Sequence, residues 1–250
     1  MVDITAYAPG TPNWVDISTP DMEATKAFYG GLFGWERTAS DPELGGYANF
    51  TLNGKMVCGA TPTMSPDQHP AWSTYIATAD ADATAQAVQA NGGQVAFPPM
   101  NVAELGRMAI FTDPTGAFFG VWQPGEHKGA AVVAEPGAVG WNQLLTRDMG
   151  AANAFYPKVF GWTTEAMGDD PVWTMDGRPV AGGNTVGAEY PADAPSSWLT
   201  YFVVADTDAV AAKAQELGGT VAMPPTDSPY GRSATLADPH GAVFAIIQMQ

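Results

Sequence analysis

Apolar and polar residues alternate along Asn13-Trp14-Val15-Asp16-Ile17-Ser18, which is the period of a strand. The pattern then changes to apolar residues every four positions, Ala24, Phe28 and Leu32, which predicts a helix. Asp21 stands where a helix cap is wanted and Gly34 where a terminator is wanted. Tyr47 to Leu52 reads as the next strand and Met56 to Ala60 as its antiparallel return, joined by the hairpin pair Asn53-Gly54. After a Pro-punctuated stretch from Met64 to Pro70 the same order begins again: a strand at Trp72–Ile76, a cap at Asp80, and a helix ended by Gly92-Gly93. The two caps lie 59 positions apart, as do Gly34 and Gly93. Asp113-Pro114-Thr115-Gly116 has the residues of a type I turn and joins the last two strands. Each unit is thus a strand, a helix and about three strands.

The whole arrangement then recurs. Ala27-Phe28-Tyr29-Gly30-Gly31-Leu32-Phe33-Gly34-Trp35 returns as Ala154-Phe155-Tyr156-Pro157-Lys158-Val159-Phe160-Gly161-Trp162. Trp14 answers to Trp141, Asp21-Met22 to Asp148-Met149, Trp72 to Trp198, and Gly106-Arg107 to Gly231-Arg232. The hairpin at Asp113 answers to Asp238-Pro239-His240-Gly241. Matched landmarks in one order define a tandem repeat. Residues 1–124 form a first domain and 137–250 a second. Residues 125–136 match nothing in the repeat and, rich in Gly, Ala and mixed charge, read as an interdomain linker.

Composition narrows the function. A net charge of −16 with only ten Lys and Arg opposes nucleic acid and anionic membrane as partners. No apolar run approaches the roughly 20 residues of a membrane span, and no secretory leader is read at the N-terminus. The single cysteine, Cys58, allows no internal disulfide and fits a reducing compartment. The expectation is a cytoplasmic protein, monomeric or homodimeric, whose partner is a small molecule.

Four βαβββ modules, a helix ending in Phe-Tyr-x-x-x-Phe-Gly-Trp and a late Asp-Pro-x-Gly hairpin resemble the vicinal oxygen chelate superfamily, and most closely its tandem glyoxalase-like proteins. That group includes glyoxalases, extradiol dioxygenases and metal-free bleomycin resistance proteins. The resemblance implies an α+β fold of two tandem domains, in each of which two modules curl a mixed sheet into a cup. It also implies metal ligands at set strand positions, one of them seven residues before the helix-capping Asp. Here those are Trp14, Ser73, Trp141 and Leu199. The late-strand ligand, seven residues after the hairpin Asp, falls at Gly120 and Ala245, and a fourth position stays open. His69, His127 and His240 lie in a loop, the linker and a turn. No metal and no other cofactor is expected.

Strand parity puts Asp16 and Gln143 on the same side as Trp14 and Trp141, Tyr75 and Tyr201 on the side of Ser73 and Leu199, and Trp122 with Gly120. These residues line the candidate cups. Trp14 and Trp141 either plug them or wall a flat ligand. Arg107 and Arg232 either pair with a carboxylate nearby or bind an acidic or carbonyl ligand at the mouth. Asp16, with Tyr75 beside it, is the candidate catalytic group, because the second copy has Gln143 at the matched position and an amide carries no proton. The favoured function is metal-independent binding of a small apolar or aromatic molecule, for sequestration or acid–base conversion. A metal-dependent lyase, dioxygenase or hydroxylase with relocated ligands and a non-catalytic interaction scaffold are the alternatives.

Overall fold

A computed structural model describes residues 4–167, 170–188, 190 and 194–250. The first module comprises β1 (Pro12–Thr19), α1 (Met22–Phe33), β2 (Glu36–Arg37), β3 (Ala48–Leu52) and β4 (Lys55–Pro62); the second comprises β5 (Ala71–Ala77), α2 (Ala81–Ala90), β6 (Gln94–Val102), β7 (Gly106–Thr112) and β8 (Phe118–Pro124). The third holds β9 (Val139–Thr146), α3 (Met149–Phe160), β10 (Thr163–Met167), β11 (Asp170–Met175) and β12 (Arg178–Thr185), and the fourth β13 (Ser197–Val203), α4 (Thr207–Glu216), β14 (Thr220–Ser228), β15 (Gly231–Ala237) and β16 (Val243–Met249).

Local chemistry sets these boundaries. Asp21 is extended, and its carboxylate accepts the amides of Glu23 and Ala24. Gly34 closes α1 at φ 75° with its N–H on the carbonyl of Gly30, a left-handed cap that a side chain would strain. Asp148 and Gly161 repeat both devices on α3. Asn53-Gly54 and Asp176-Gly177 all have positive φ, as a two-residue hairpin of type I′ requires.

Each half of the chain builds one eight-stranded mixed sheet, in the orders β2-β3-β4-β1-β5-β8-β7-β6 and β10-β11-β12-β9-β13-β16-β15-β14. The modules of a sheet join through antiparallel β1/β5 and β9/β13. The two halves meet helix face to helix face, module one against module four and module two against module three. One apolar cluster accordingly holds Phe28, Tyr29, Leu32 and Trp35 together with Phe202, Leu236 and Phe244. A second joins Phe111, Phe119 and Val121 to Phe155, Tyr156 and Trp162.

The repeated signature forms this interface. The Tyr29 hydroxyl donates to Asp238 Oδ2 at 3.3 Å and accepts Trp72 Nε1 at 3.0 Å. Its counterpart Tyr156 donates to Asp113 Oδ2 at 2.8 Å and accepts Trp198 Nε1 at 3.0 Å. Trp35 Nε1 bonds the carbonyl of Gly137 and Trp162 Nε1 that of Gly10, both at 2.7 Å. The hairpin aspartates, expected as turn formers, do that with Oδ1 and dock the other half with Oδ2.

Candidate functional site

Alternation along β1 sends Val15 and Ile17 into the core between the sheets and Trp14 and Asp16 to the opposite, inner face. Trp14, Tyr75, Trp122 and Ala130 are buried there against Met56, Val102, Met108 and Ile110. Side chains from β1 and from β4 to β8 thus converge on one cluster, so the sheet curls into a cup around it.

Asp16 lies at the base of that cluster, 5% exposed. Tyr47 donates to its Oδ2 at 3.3 Å, and Trp14 Nε1 donates to the Tyr47 hydroxyl at 2.8 Å. Burial pushes the Asp16 carboxyl up to about 6, against the pull of hydrogen bonds from Tyr75, Tyr47 and Ser73. Burial, then the negative charge of Asp16, raises both tyrosines well above their ordinary value.

Strand glycines make the room for these rings. A Cβ on Gly59 would lie 1.9 Å from the Tyr47 hydroxyl oxygen, and one on Gly120 would lie 2.3 Å from the Tyr75 ring. Gly59 pairs with Asp16 as Gly120 pairs with Tyr75, so module symmetry assigns Gly59 to the position that sequence counting leaves open. The four positions in the first cup are therefore Trp14, Gly59, Ser73 and Gly120. In the second they are Trp141, Gly182, Leu199 and Ala245, with Trp141 Nε1 lying 3.1 Å from where a Gly182 Cβ would sit. Among the described residues no group of three or more His, Cys, Asp or Glu could hold a metal ion.

In the second cup Trp141, Gln143 and Tyr201 are partly exposed. The Tyr201 hydroxyl donates to Gln143 Oε1 at 2.8 Å, and burial, with the nearby Tyr190 and Asp170, raises it to about 12. Asp170 precedes its hairpin by six positions, as Tyr47 precedes Asn53. Its carboxylate is held by Asn184 Nδ2 at 2.8 Å and the Thr185 amide at 3.3 Å.

The structure brings Trp14, Asp16, Tyr75 and Trp122 together, and Trp141, Gln143 and Tyr201 together. The arginines it places elsewhere. Arg107 alternates with the inward Met108, and its Nε and Nη2 each bond an Asp82 oxygen at 3.0 Å while Nη1 bonds Asn101 at 2.9 Å. Arg232 grips Asp208 and Asp227 in the same way. Both lie by the first turn of a helix, on the side away from the cups.

Sequence reasoning missed Tyr47, Asp170 and His127. Glycine in mid-strand, which marks a close approach, was the signal for Tyr47. Residues 125–136, read as the interdomain linker, pack onto the first domain. The amides of Gly125 and His127 bond the Leu105 carbonyl, Ala130 N bonds Asn13 O, and Ala131 N bonds Met56 O. The His127 ring packs edgewise on Trp14 at 4.4 Å and lies 5.4 Å from Trp122. Its carbonyl accepts Trp122 Nε1 at 2.8 Å, and burial pushes its imidazole down to about 4. The first cup is covered by its own chain, and by the second Tyr190 lies near Tyr201, with its hydroxyl 3.8 Å from Met223 Sδ.

The family model of the Glyoxalase/Bleomycin resistance protein/Dioxygenase superfamily matches residues 11–121 and 137–246. The chain is 44% identical to the anthracycline biosynthesis protein DnrV of Streptomyces peucetius, over 99% of this chain and 96% of that one. It is 42% identical to the putative glyoxylase CFP32 of Mycobacterium bovis, over 97% and 96%. Among solved structures it resembles a Mn(II)-bound glyoxalase from Novosphingobium aromaticivorans, with TM-score 0.67 and 18% identity over 96% of this chain and 82% of that one. It also resembles the 2,3-dioxygenase LapB of a Pseudomonas species, with TM-score 0.67 and 14% identity over 99% and 93%. No helix among the described residues is long and apolar enough to cross a membrane. Two matched regions, each coinciding with one eight-stranded sheet, make this chain a member of the Glyoxalase/Bleomycin resistance protein/Dioxygenase superfamily.

Proposed function

We propose that the protein binds small, flat, aromatic molecules in its cups without a metal ion, that the second cup, with Trp141, Gln143 and Tyr201, only binds, and that any proton transfer belongs to the first, where Asp16 stands. The carrying observation is what stands at the metal positions. Three of the eight are glycines overlaid by an aromatic ring, two are tryptophans, two are aliphatic, and the Ser73 hydroxyl is the one oxygen donor. A divalent ion in a catalytic site wants three or four N or O ligands, and these residues do not fit one. No step is therefore routed through a metal.

The second cup has the mixture that ligand sites use, an aromatic surface with a few fixed polar atoms. Gln143 and Tyr201 are bonded to each other, so their remaining donor and acceptor capacity is oriented. The similarity to an anthracycline biosynthesis protein supports a planar polycyclic ligand bearing phenol or quinone oxygens. At neutral pH Asp16, with its carboxyl near 6, is mostly ionised, and it can take a proton from an acidic phenol or from a carbon next to a carbonyl. Gln143 cannot.

Elemental analysis of protein taken from its source should show well under one equivalent of transition metal, and titration with an anthracyclinone should quench tryptophan fluorescence equally with and without chelator. One equivalent of metal, lost together with binding on chelation, overturns the reading. Unchanged turnover in Asp16→Asn would remove the catalytic part and leave the binding part standing.

A further inference from the structure

We infer that the faces on which the two halves meet form a pairing surface keyed for unlike partners, in which Asn142 makes a second half fit a first half rather than another copy of itself. This holds whatever the cups bind.

The docking hydrogen bonds described above do not choose a partner by themselves. The bond from Tyr29 to Asp238 has its mate in that from Tyr156 to Asp113, and Trp35 to Gly137 has its mate in Trp162 to Gly10. Both kinds come in pairs related by the repeat, so two like halves brought together in the same way could make them from identical residues. Asn142 is different. On β9 it alternates with Trp141 and Gln143 and so points away from the second cup, into the core between the sheets. Its Oδ1 accepts the Thr200 hydroxyl of its own half at 3.2 Å and the Thr74 hydroxyl of the other half at 3.0 Å. Thr74 and Thr200 are themselves matched positions, each two residues after a matched tryptophan, Trp72 and Trp198. One amide oxygen thus takes a hydroxyl from each half. The position matched to Asn142 is Val15, and all four residues are buried.

Like pairs fail at this point for opposite reasons. Two first halves would bring two valines and two Thr74 hydroxyls, which would lose their amide acceptor, and a buried hydroxyl without its partner keeps the cost of leaving water. Two second halves would bring two amides to a place that now holds one amide and a valine. Each Oδ1 would keep only the hydroxyl of its own half, and the two amides would have to be accommodated against each other. The unlike pair alone sets one amide against two hydroxyls. A single buried asparagine has the same use in coiled coils, where it fixes register and partner number. The contact also ties the cups together, because Thr74 lies between Ser73 and Tyr75 on the floor of the first and Asn142 between Trp141 and Gln143 on the floor of the second.

The key can be moved, and moving it tests the inference in the full chain. In Val15→Asn/Asn142→Val the amide stands at the mate position and should meet the same two hydroxyls. Val15→Asn alone adds a second amide, so in equilibrium unfolding it should raise the unfolding constant at least tenfold more in the wild type than in Asn142→Val, the size of coupling expected for groups in contact. Partner choice is read separately by refolding from guanidinium at high protein concentration and measuring the dimer fraction by size exclusion. Asn142→Val, with valine on both sides, should give a several-fold larger dimer fraction than the wild type, and the exchanged double variant should return to the wild-type fraction. Additive effects at positions 15 and 142, or a dimer fraction in Asn142→Val no larger than in the wild type, overturn the inference. If Val15→Asn does not fold, Thr74→Val takes its place: it should raise the unfolding constant several-fold more in the wild type than in Asn142→Val, and equal losses in the two backgrounds overturn the inference.

Discussion

The two cups share strand order, register and module plan, yet the inner residues of the first are buried and those of the second partly exposed. At matched inner positions the first has Asp16, Tyr47, Ser73 and Trp122 and the second Gln143, Asp170, Leu199 and Ile247. At matched docking positions the copies agree: Tyr29 with Tyr156, Trp35 with Trp162, Trp72 with Trp198, Asp238 with Asp113. The residues that hold the halves together recur, while the cups keep a shared Trp and Tyr, Trp14 with Trp141 and Tyr75 with Tyr201, and differ around them. The Phe-Tyr and Phe-Gly-Trp motif is thus a record of assembly, and the function proposed above would lie in the inner faces.

The tryptophans test this contrast most strongly. Trp14 is 6% exposed and bonded to Tyr47, so Trp14→Ala should leave a cavity and cost about 3–5 kcal/mol. Trp141 is partly exposed, and Trp141→Ala should cost about 1–2 kcal/mol while weakening ligand binding. Guanidinium unfolding of both variants checks it. Equal losses would mean the second cup is packed as tightly as the first.

The next effect depends on pH. The folded state raises Asp16 from 3.8 to about 6, so it favours the protonated acid. Ionised Asp16 therefore costs stability fully above pH 6, and the cost vanishes below about pH 4. Two units correspond to about 3 kcal/mol. His127 runs the other way: lowered from 6.5 to about 4, it favours the neutral ring, and its contribution is whole above pH 6.5 and lost as pH falls toward 4. The opposing slopes should leave the wild type nearly level from pH 4 to 6. Asp16→Asn should be more stable than wild type at pH 7 by about 1–3 kcal/mol and should lose stability on acidification through that window. His127→Ala should gain stability on the same acidification. Parallel profiles for all three proteins would break the assignment of a buried acid and a buried neutral histidine to one cup. The second cup, with Gln143 in place of Asp16, should contribute no such pair of slopes.

How much of this was legible follows from how local each signal is. Helix caps, hairpin pairs and strand parity depend on neighbours within a few residues, which is why Asp21, Gly34 and Asn53-Gly54 marked real boundaries. Parity also sufficed to put Trp14, Asp16, Tyr75 and Trp122 on one face. Tyr47 reaches Asp16 from 31 positions away, and nothing near either residue encodes the meeting except Gly59. Asp113 looked complete as a turn residue because its second oxygen is used by Tyr156, 43 positions on. Residues 125–136 carry no periodicity, so their packing was invisible. That packing becomes apparent only where the ring of His127 meets Trp14 and Trp122.

Docking hydroxyls should matter less than Trp14. Tyr29 and Tyr156 are fully buried and each bridges a Trp and an Asp, so Tyr156→Phe leaves Asp113 Oδ2 without its donor and should cost about 1–3 kcal/mol. Tyr29→Phe, whose bond to Asp238 is longer at 3.3 Å, should cost the smaller share. Ligand affinity of the second cup should be unchanged in both, as equilibrium unfolding and a parallel binding titration would show. An affinity loss would mean that docking and binding are coupled through the shared core.

The smallest effect is expected at Arg107, and it decides between two roles. Its guanidinium makes two bonds to Asp82 and one to Asn101, yet the pair is open to water, with the Arg side chain 27% and the Asp side chain 57% exposed. Solvent screens such a pair, so Arg107→Gln should cost no more than about 1 kcal/mol. Binding and turnover should be untouched, because the side chain lies on the helix side of β7 while Met108 points inward. An arginine at the mouth of a cup would behave differently: losing a charge-assisted contact to ligand would reduce affinity about tenfold or more, with little change in melting temperature. Measuring both quantities on one variant separates the cases. A selective loss of affinity would bring Arg107 back into the site, and a small stability loss alone would leave it, like Arg232 in the other copy, as a clasp between a strand and the first turn of a helix.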